Sequence, residues 1–156
     1  MPHEPSDPEV RLHATRAQAM ACNNRAWDLV EQTTRTANET QAMCDAAQEA
    51  QRLWDTAKQE TLCVERLRAQ QLVACAMARA GRTNDARNAA QAASETEAAL
   101  DPSELTTFDR VMTQVAHALA SARASDLREI HPALQSAMKA LDDEEQALVL
   151  RLLGGD

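Results

Sequence analysis

The chain has 156 residues, 44% of them apolar, and a formal net charge of −8 at neutral pH. That length suits one domain with a core of its own, built without help from metal or disulfides. The acidic balance argues against non-specific nucleic-acid binding, which needs clustered Lys and Arg, and no stretch approaches the roughly 20 apolar residues of a membrane span. Alanine dominates, with no Tyr, one Phe and two Trp. Alanine is the best helix former, and three glycines with five prolines leave little turn chemistry for hairpin strands. The composition predicts an all-α fold.

Residues 1–9, broken by Pro2, Pro5 and Pro8, read as a disordered lead-in, and residues 10–153 as a single all-helical domain. The first segment lacks the apolar run of a secretory signal. The four cysteines (Cys22, Cys44, Cys63 and Cys75) are far apart, with no short C-x-x-C spacing. Both features predict a cytoplasmic protein with reduced thiols.

A first helix is expected from about Val10 to Gln32, with Ala19, Cys22, Ala26 and Leu29 on one stripe and Trp27 and Val30 beside it. Thr36 and Glu39 form a capping box for a second helix, about Ala37 to Ala57, whose face carries Met43, Ala46, Ala50 and Leu53. A turn is placed near Lys58 to Thr61. The third helix, with Val73, Ala76 and Met77 on its stripe, stops at Gly81, a left-handed C-cap. Thr83 caps an alanine-rich fourth helix.

Asp101-Pro102-Ser103-Glu104 is the clearest start signal in the chain: Asp caps, Pro fits the first position and Glu the third. It predicts a fifth helix with an unbroken stripe of Leu105, Phe108, Met112, Val115, Leu119 and Ala122. A sixth helix carries Leu127, Ile130, Leu134, Ala137 and Leu141 and is interrupted by Pro132. Asp142 and Glu145 then cap a final helix to Leu153, with Leu148, Val149, Leu152 and Leu153 on one stripe. That stripe either covers the chain's own core or pairs with another subunit.

Charge is placed unevenly. Arg66, Arg68, Arg79, Arg82 and Arg87 outnumber the acids between Leu62 and Asn88, and every charge from Ala89 to Asp109 is acidic. Solvated helix faces pairing with each other account best for this pattern; a basic groove for an acidic peptide is the main alternative. His117 falls opposite the fifth helix's stripe and is expected to be exposed, His131 belongs to the turn at Pro132, and His3 to the tail. No histidine pair has the i, i+4 spacing that grips a metal. Lone helical cysteines usually behave as small core hydrophobes, although neighbouring helices could gather Cys22, Cys44 and Cys63 with a distant histidine. The acidic run Asp142-Asp143-Glu144-Glu145 is explained by a helix start. With no phosphate loop and no nucleophile elbow, the chain reads as a non-enzyme that needs no cofactor.

Gly81, Ala86 and Ala93 have the spacing of small residues in a tetratricopeptide (TPR) helical hairpin. A shift of 44 residues gives Ser125, Ile130 and Ala137, and a shift back gives Ala37 and Ala42, with Glu49 breaking the match. The runs Asn23-Asn24-Arg25-Ala26-Trp27-Asp28-Leu29 and Ala78-Arg79-Ala80-Gly81-Arg82, with Ala46-Ala47 and Trp54 between them, resemble a family of small, uncharacterised bacterial TPR-like proteins. The resemblance spans about Asn23 to Leu141. It implies antiparallel helical hairpins in a right-handed TPR-like array of six to seven helices, with no established activity. Family members carry histidines where this chain has Gln48 and Leu53, so any chemistry of those histidines is missing here.

The expected function is a protein–protein interaction module, an adaptor for a protein or peptide partner, with no nucleic acid or membrane involved. First helices of successive hairpins would line its concave face, offering Asn24, Trp27, Arg66 and Arg79 as contacts. Trp27 and Trp54 fit either the first hairpin's core or a peptide groove. A buried Asn23 or Asn24 would fix helix register or face that groove. The alternatives are a small-molecule or metal-binding bundle using Cys and His, and a self-associating structural protein, possible as a homodimer.

Overall fold

A computed structural model describes residues 7–57, 63–121 and 134–154. Among them every regular element is helical: α1 (Asp7–Val30), α2 (Ala37–Ala57), α3 (Val64–Arg79), α4 (Thr83–Ala99), a 3-10 turn (Pro102–Glu104), α5 (Thr107–Ser121) and α6 (Asp143–Leu152). Residues 134–138 form a further helical stretch. None of these helices is long and apolar enough to cross a membrane.

Local chemistry sets several of the helix ends. Thr36 and Glu39 make the reciprocal capping box of α2: the Glu39 N–H donates to Thr36 Oγ1 at 3.1 Å and the Thr36 N–H to Glu39 Oε2 at 2.7 Å. At the end of α3, Gly81 takes φ +73°, the Arg82 N–H reaches Met77 O at 2.8 Å and the Gly81 N–H reaches Ala78 O at 3.1 Å. That pair of bonds is a Schellman motif. Asp142 and Glu145 close a second reciprocal box at α6.

Three helix starts differ from the sequence expectation. α1 begins at Asp7, so residues 7–9 belong to a helix rather than to the lead-in; Asp7 and Glu9 favour its positive end and Pro8 is tolerated in its first turn. α4 starts at Thr83 itself, with Arg82 at the cap position and no side-chain cap bond. Asp101 caps only the 3-10 turn, accepting from the Ser103 N–H. Leu105 is then extended and packs against Leu67, Ala93 and Leu100. Burying Leu105 there breaks the helix, which restarts when Thr106 and Asp109 bond reciprocally: the Asp109 N–H donates to Thr106 Oγ1 at 3.1 Å and the Thr106 N–H to Asp109 Oδ2 at 3.0 Å. The expected turn near residues 58–61, together with Ala122, Leu127, Ile130, His131, Pro132 and His3, lies outside the described residues.

α3 sits at the centre. It touches α1, α2, α4 and α5, while α2 also packs on α1, α4 on α5, and α5 on α6. Its residues from Leu67 to Met77 are buried almost without a break, apart from Arg68, because a helix with neighbours on every side has few positions to spare for solvent. Alanines at the contacts (Ala26, Ala47, Ala50, Ala74, Ala86, Ala90) are fully buried and let helix axes approach closely, while Met43, Leu72, Met77, Met112 and Leu134 fill the space between them. Burial follows the 44-residue offset only in part: Gly81 and Ala37 are both exposed, whereas Ala86 and Ala93 are buried and their counterparts Ala42 and Glu49 half-buried.

Candidate functional site

Three helices of this arrangement, α1, α3 and α5, meet around a cavity of about 210 Å³. α1 contributes Asn23 and Trp27, with Glu31 just beyond its end; α3 contributes Arg68 and Gln71; α5 contributes Phe108, Asp109 and Met112; α6 closes it with Leu148. Aromatic rings, a methionine and a leucine therefore form the apolar walls, and two amides and three charged groups punctuate them. Asn23 makes no side-chain hydrogen bond among the described residues, so its carboxamide is available to a ligand.

The floor of this site is a polar network between α3 and α5. Asp109 is 1% exposed. Arg68 donates to it through Nε, 2.8 Å from Oδ1, and through Nη2, 3.1 Å from Oδ2. Gln71 Nε2 donates to the Asp109 carbonyl at 2.8 Å and to Thr113 Oγ1 at 3.0 Å. Burial by itself would raise the Asp109 carboxyl; hydrogen bonds from Arg68 and from the Thr106 backbone and hydroxyl outweigh it and hold the group below its ordinary value. The same bidentate contact raises Arg68. Asp109 thus fixes the guanidinium while leaving Nη1 without a bond to any described residue. Half of the Arg68 side chain remains open to solvent.

The sequence-predicted contacts are distributed differently. Trp27 is half-buried, packs on the core and lines the cavity. Asn24 is exposed beside the site, and its neighbour Asn23 faces in. Arg66 pairs with Asp55 of α2 at 3.3 Å, on another side of α3. Arg79 is half-buried and bonds to carbonyls of α6: Nη2 donates to Leu152 O at 2.7 Å and to Arg151 O at 3.2 Å. Trp54 is half-buried on α2 and does not line this cavity. Arg68, Asp109, Gln71 and Phe108 were not among the predicted contacts. The basic excess between residues 62 and 88 includes Arg68, but nothing in its own neighbourhood points to Asp109, 41 positions away.

A larger cavity, about 650 Å³, lies between α4, the 3-10 turn and α5. Leu100, Leu105 and Ala118 give it apolar walls, and Arg110, Glu97, Ser94 and His117 give it polar ones; it reaches Ser121, the last described residue of that segment. Against expectation His117 is only partly exposed and shares a hydrogen bond with Ser94. α5 packs between α3 and α4, so the side opposite its apolar stripe is a contact with α4.

The thiols are free, with Cys44, Cys63 and Cys75 buried and Cys22 half-buried. Burial pushes the Cys75 thiol up to about 12. Among the described residues no group of three or more His, Cys, Asp or Glu side chains could hold a metal ion. In comparison with known proteins, no family model matches the chain, and no curated protein or solved structure matches it significantly.

Proposed function

We propose that this chain is a protein-interaction module of TPR-like helical hairpins that binds a protein partner on the face formed by α1, α3 and α5. The observation that supports the reading is the cavity on that face, with Trp27 and Phe108 in its walls and Arg68 held in place by the buried Asp109. Half-exposed aromatic and arginine side chains are the residues that most often anchor interfaces, and a guanidinium fixed in advance loses little entropy on binding. The pairing of α1 with α2 and α3 with α4, and the contacts of α3 with α1 and α5, are the neighbour relations of stacked hairpins. The alternation of short connections and helices fits antiparallel hairpins as well.

Affinity capture of the tagged protein from its source cells tests this, with Trp27→Leu and Asn23→Ala variants beside the unaltered chain. The reading expects a protein that follows the unaltered chain and is lost from both variants while their helical circular dichroism stays intact. Capture that is indifferent to both substitutions would refute it.

A second reading, a small-molecule site, is favoured by the 650 Å³ cavity, whose size falls within the range of ligand pockets. A metabolite panel screened by thermal shift, with His117→Ala as control, would support it through a ligand whose shift disappears in the variant.

A further inference from the structure

α6 is seated on the same face as the cavity. It packs against α5. Leu148 is one of the cavity's walls, together with Trp27 and Met112, and Val149 and Leu152 have no exposed surface. Its last turn is fastened by charge. Arg79, at the end of α3, donates to the carbonyls of Leu152 and Arg151, and Arg151 pairs with Glu31, just past α1, at 3.1 Å. The last carbonyls of a helix have no partner inside it, so Arg79 acts as a cap supplied by the receiving surface. A single ten-residue helix therefore touches all three elements of the face.

The segment carries its own start signal as well. Asp142 and Glu145 satisfy each other's backbone N–H groups, so the first turn of α6 is stabilised without any bond to the face beneath it. Leu148, Val149, Leu152 and Leu153 point the same way at helical spacing, the pattern of a peptide helix lying in an apolar groove. Its polar fastenings, Arg79 to the terminal carbonyls and Glu31 to a basic side chain, could be made by any helix that ends there with the same chemistry.

We propose that α6 is a displaceable strap, and that the partner of this face is an amphipathic helix that takes its place. Such a helix carries apolar residues spaced as in α6, a lysine or arginine set against Glu31 and a C-terminus that Arg79 can cap. This inference rests on the interaction reading above and adds a control to it. A tethered occupant is present at high effective concentration, so a partner must bind better than α6 does in order to enter.

The test uses the full chain and a fluorescein-labelled peptide of residues 142–154, followed by anisotropy. The unaltered chain should bind it weakly, because the resident strap fills the site. Leu152→Asp or Arg151→Glu in the chain weakens the resident helix while leaving the added one unchanged, and should tighten peptide binding roughly tenfold or more. A peptide carrying Leu148→Asp and Leu152→Asp should not bind. The proposal is overturned if a variant that keeps its helical signal binds the peptide no better than the unaltered chain. It is overturned equally if both variants lose cooperative folding, because α6 would then be a fixed part of the core. A negative peptide result beside Trp27-dependent capture removes the strap alone; peptide binding without any captured protein removes the adaptor reading alone.

Discussion

Replacing Arg68 with leucine leaves the Asp109 carboxylate at the α3–α5 contact without its cation. Asp109 is 1% exposed and the Arg68 side chain 52%. Breaking a fully buried pair from one side costs about 3–5 kcal/mol. Here solvent reaches the arginine and screens the pair, and the Thr106 N–H and hydroxyl still hold one carboxylate oxygen. Those two facts bring the expected cost to about 2 kcal/mol, or roughly 4–8 °C in Tm for a chain of this size. The cost must also depend on pH. The folded carboxyl lies below its ordinary value of about 4, so its contribution is present above pH ~4 and lost as pH falls through the depressed folded value. Without Arg68 only the Thr106 hydrogen bonds oppose the effect of burial, so the carboxyl is protonated more readily and the penalty shrinks as it takes up its proton in acid. Urea and thermal melts at pH 7 and pH 3, on Arg68→Leu, Asp109→Asn and the double variant, complete a cycle with an expected coupling of about 1–2 kcal/mol at pH 7. A cost under about 0.5 kcal/mol at pH 7, or one unchanged at pH 3, would refute this account of the pair.

Gly81→Ala meets no atom within 4 Å, so its cost is conformational: about 1 kcal/mol in a melt, with Gly81→Asn losing less because Asn tolerates the left-handed region. Ala90 is fully buried on α4, and Ala90→Leu should cost about 1–3 kcal/mol by overpacking; a neutral result would mean that the helices can move apart freely there. A colorimetric thiol titration of the native protein should find Cys22 reactive first and Cys44, Cys63 and Cys75 only on unfolding. Asp142→Ala removes the α6 capping box at about 1 kcal/mol, and hydrogen exchange should quicken at residues 143–146 before it does in α3.

What was legible in the sequence was local. The Thr36–Glu39 and Asp142–Glu145 boxes and the Gly81 stop depend on side chains within a few positions of one another, and the structure has all three. Asp101-Pro102 looked stronger than any of them, yet it caps a single 3-10 turn, because Leu105 is drawn onto Leu67, Ala93 and Leu100 from other elements. His117 was misplaced for a related reason: a stripe analysis allows a helix one buried face, and α5 has two. The site was legible in part. Trp27 and the arginine-rich stretch point to it, but which arginine serves it depends on where Asp109 arrives from α5. Arg79 and Arg68 look alike in sequence. One ends against the carbonyls of α6 and the other against a buried carboxylate, and only the packing separates them.

The central claim is that the α1–α3–α5 face receives a protein partner. Photo-crosslinking in the source cells tests it most directly, with a benzophenone amino acid placed at position 27 or 108 in the cavity wall, or at the exposed Gln91 of α4 as the control. The account predicts one discrete crosslinked protein from positions 27 and 108 and none from position 91. Crosslinks that are absent from the cavity positions, or equal at Gln91, would contradict it.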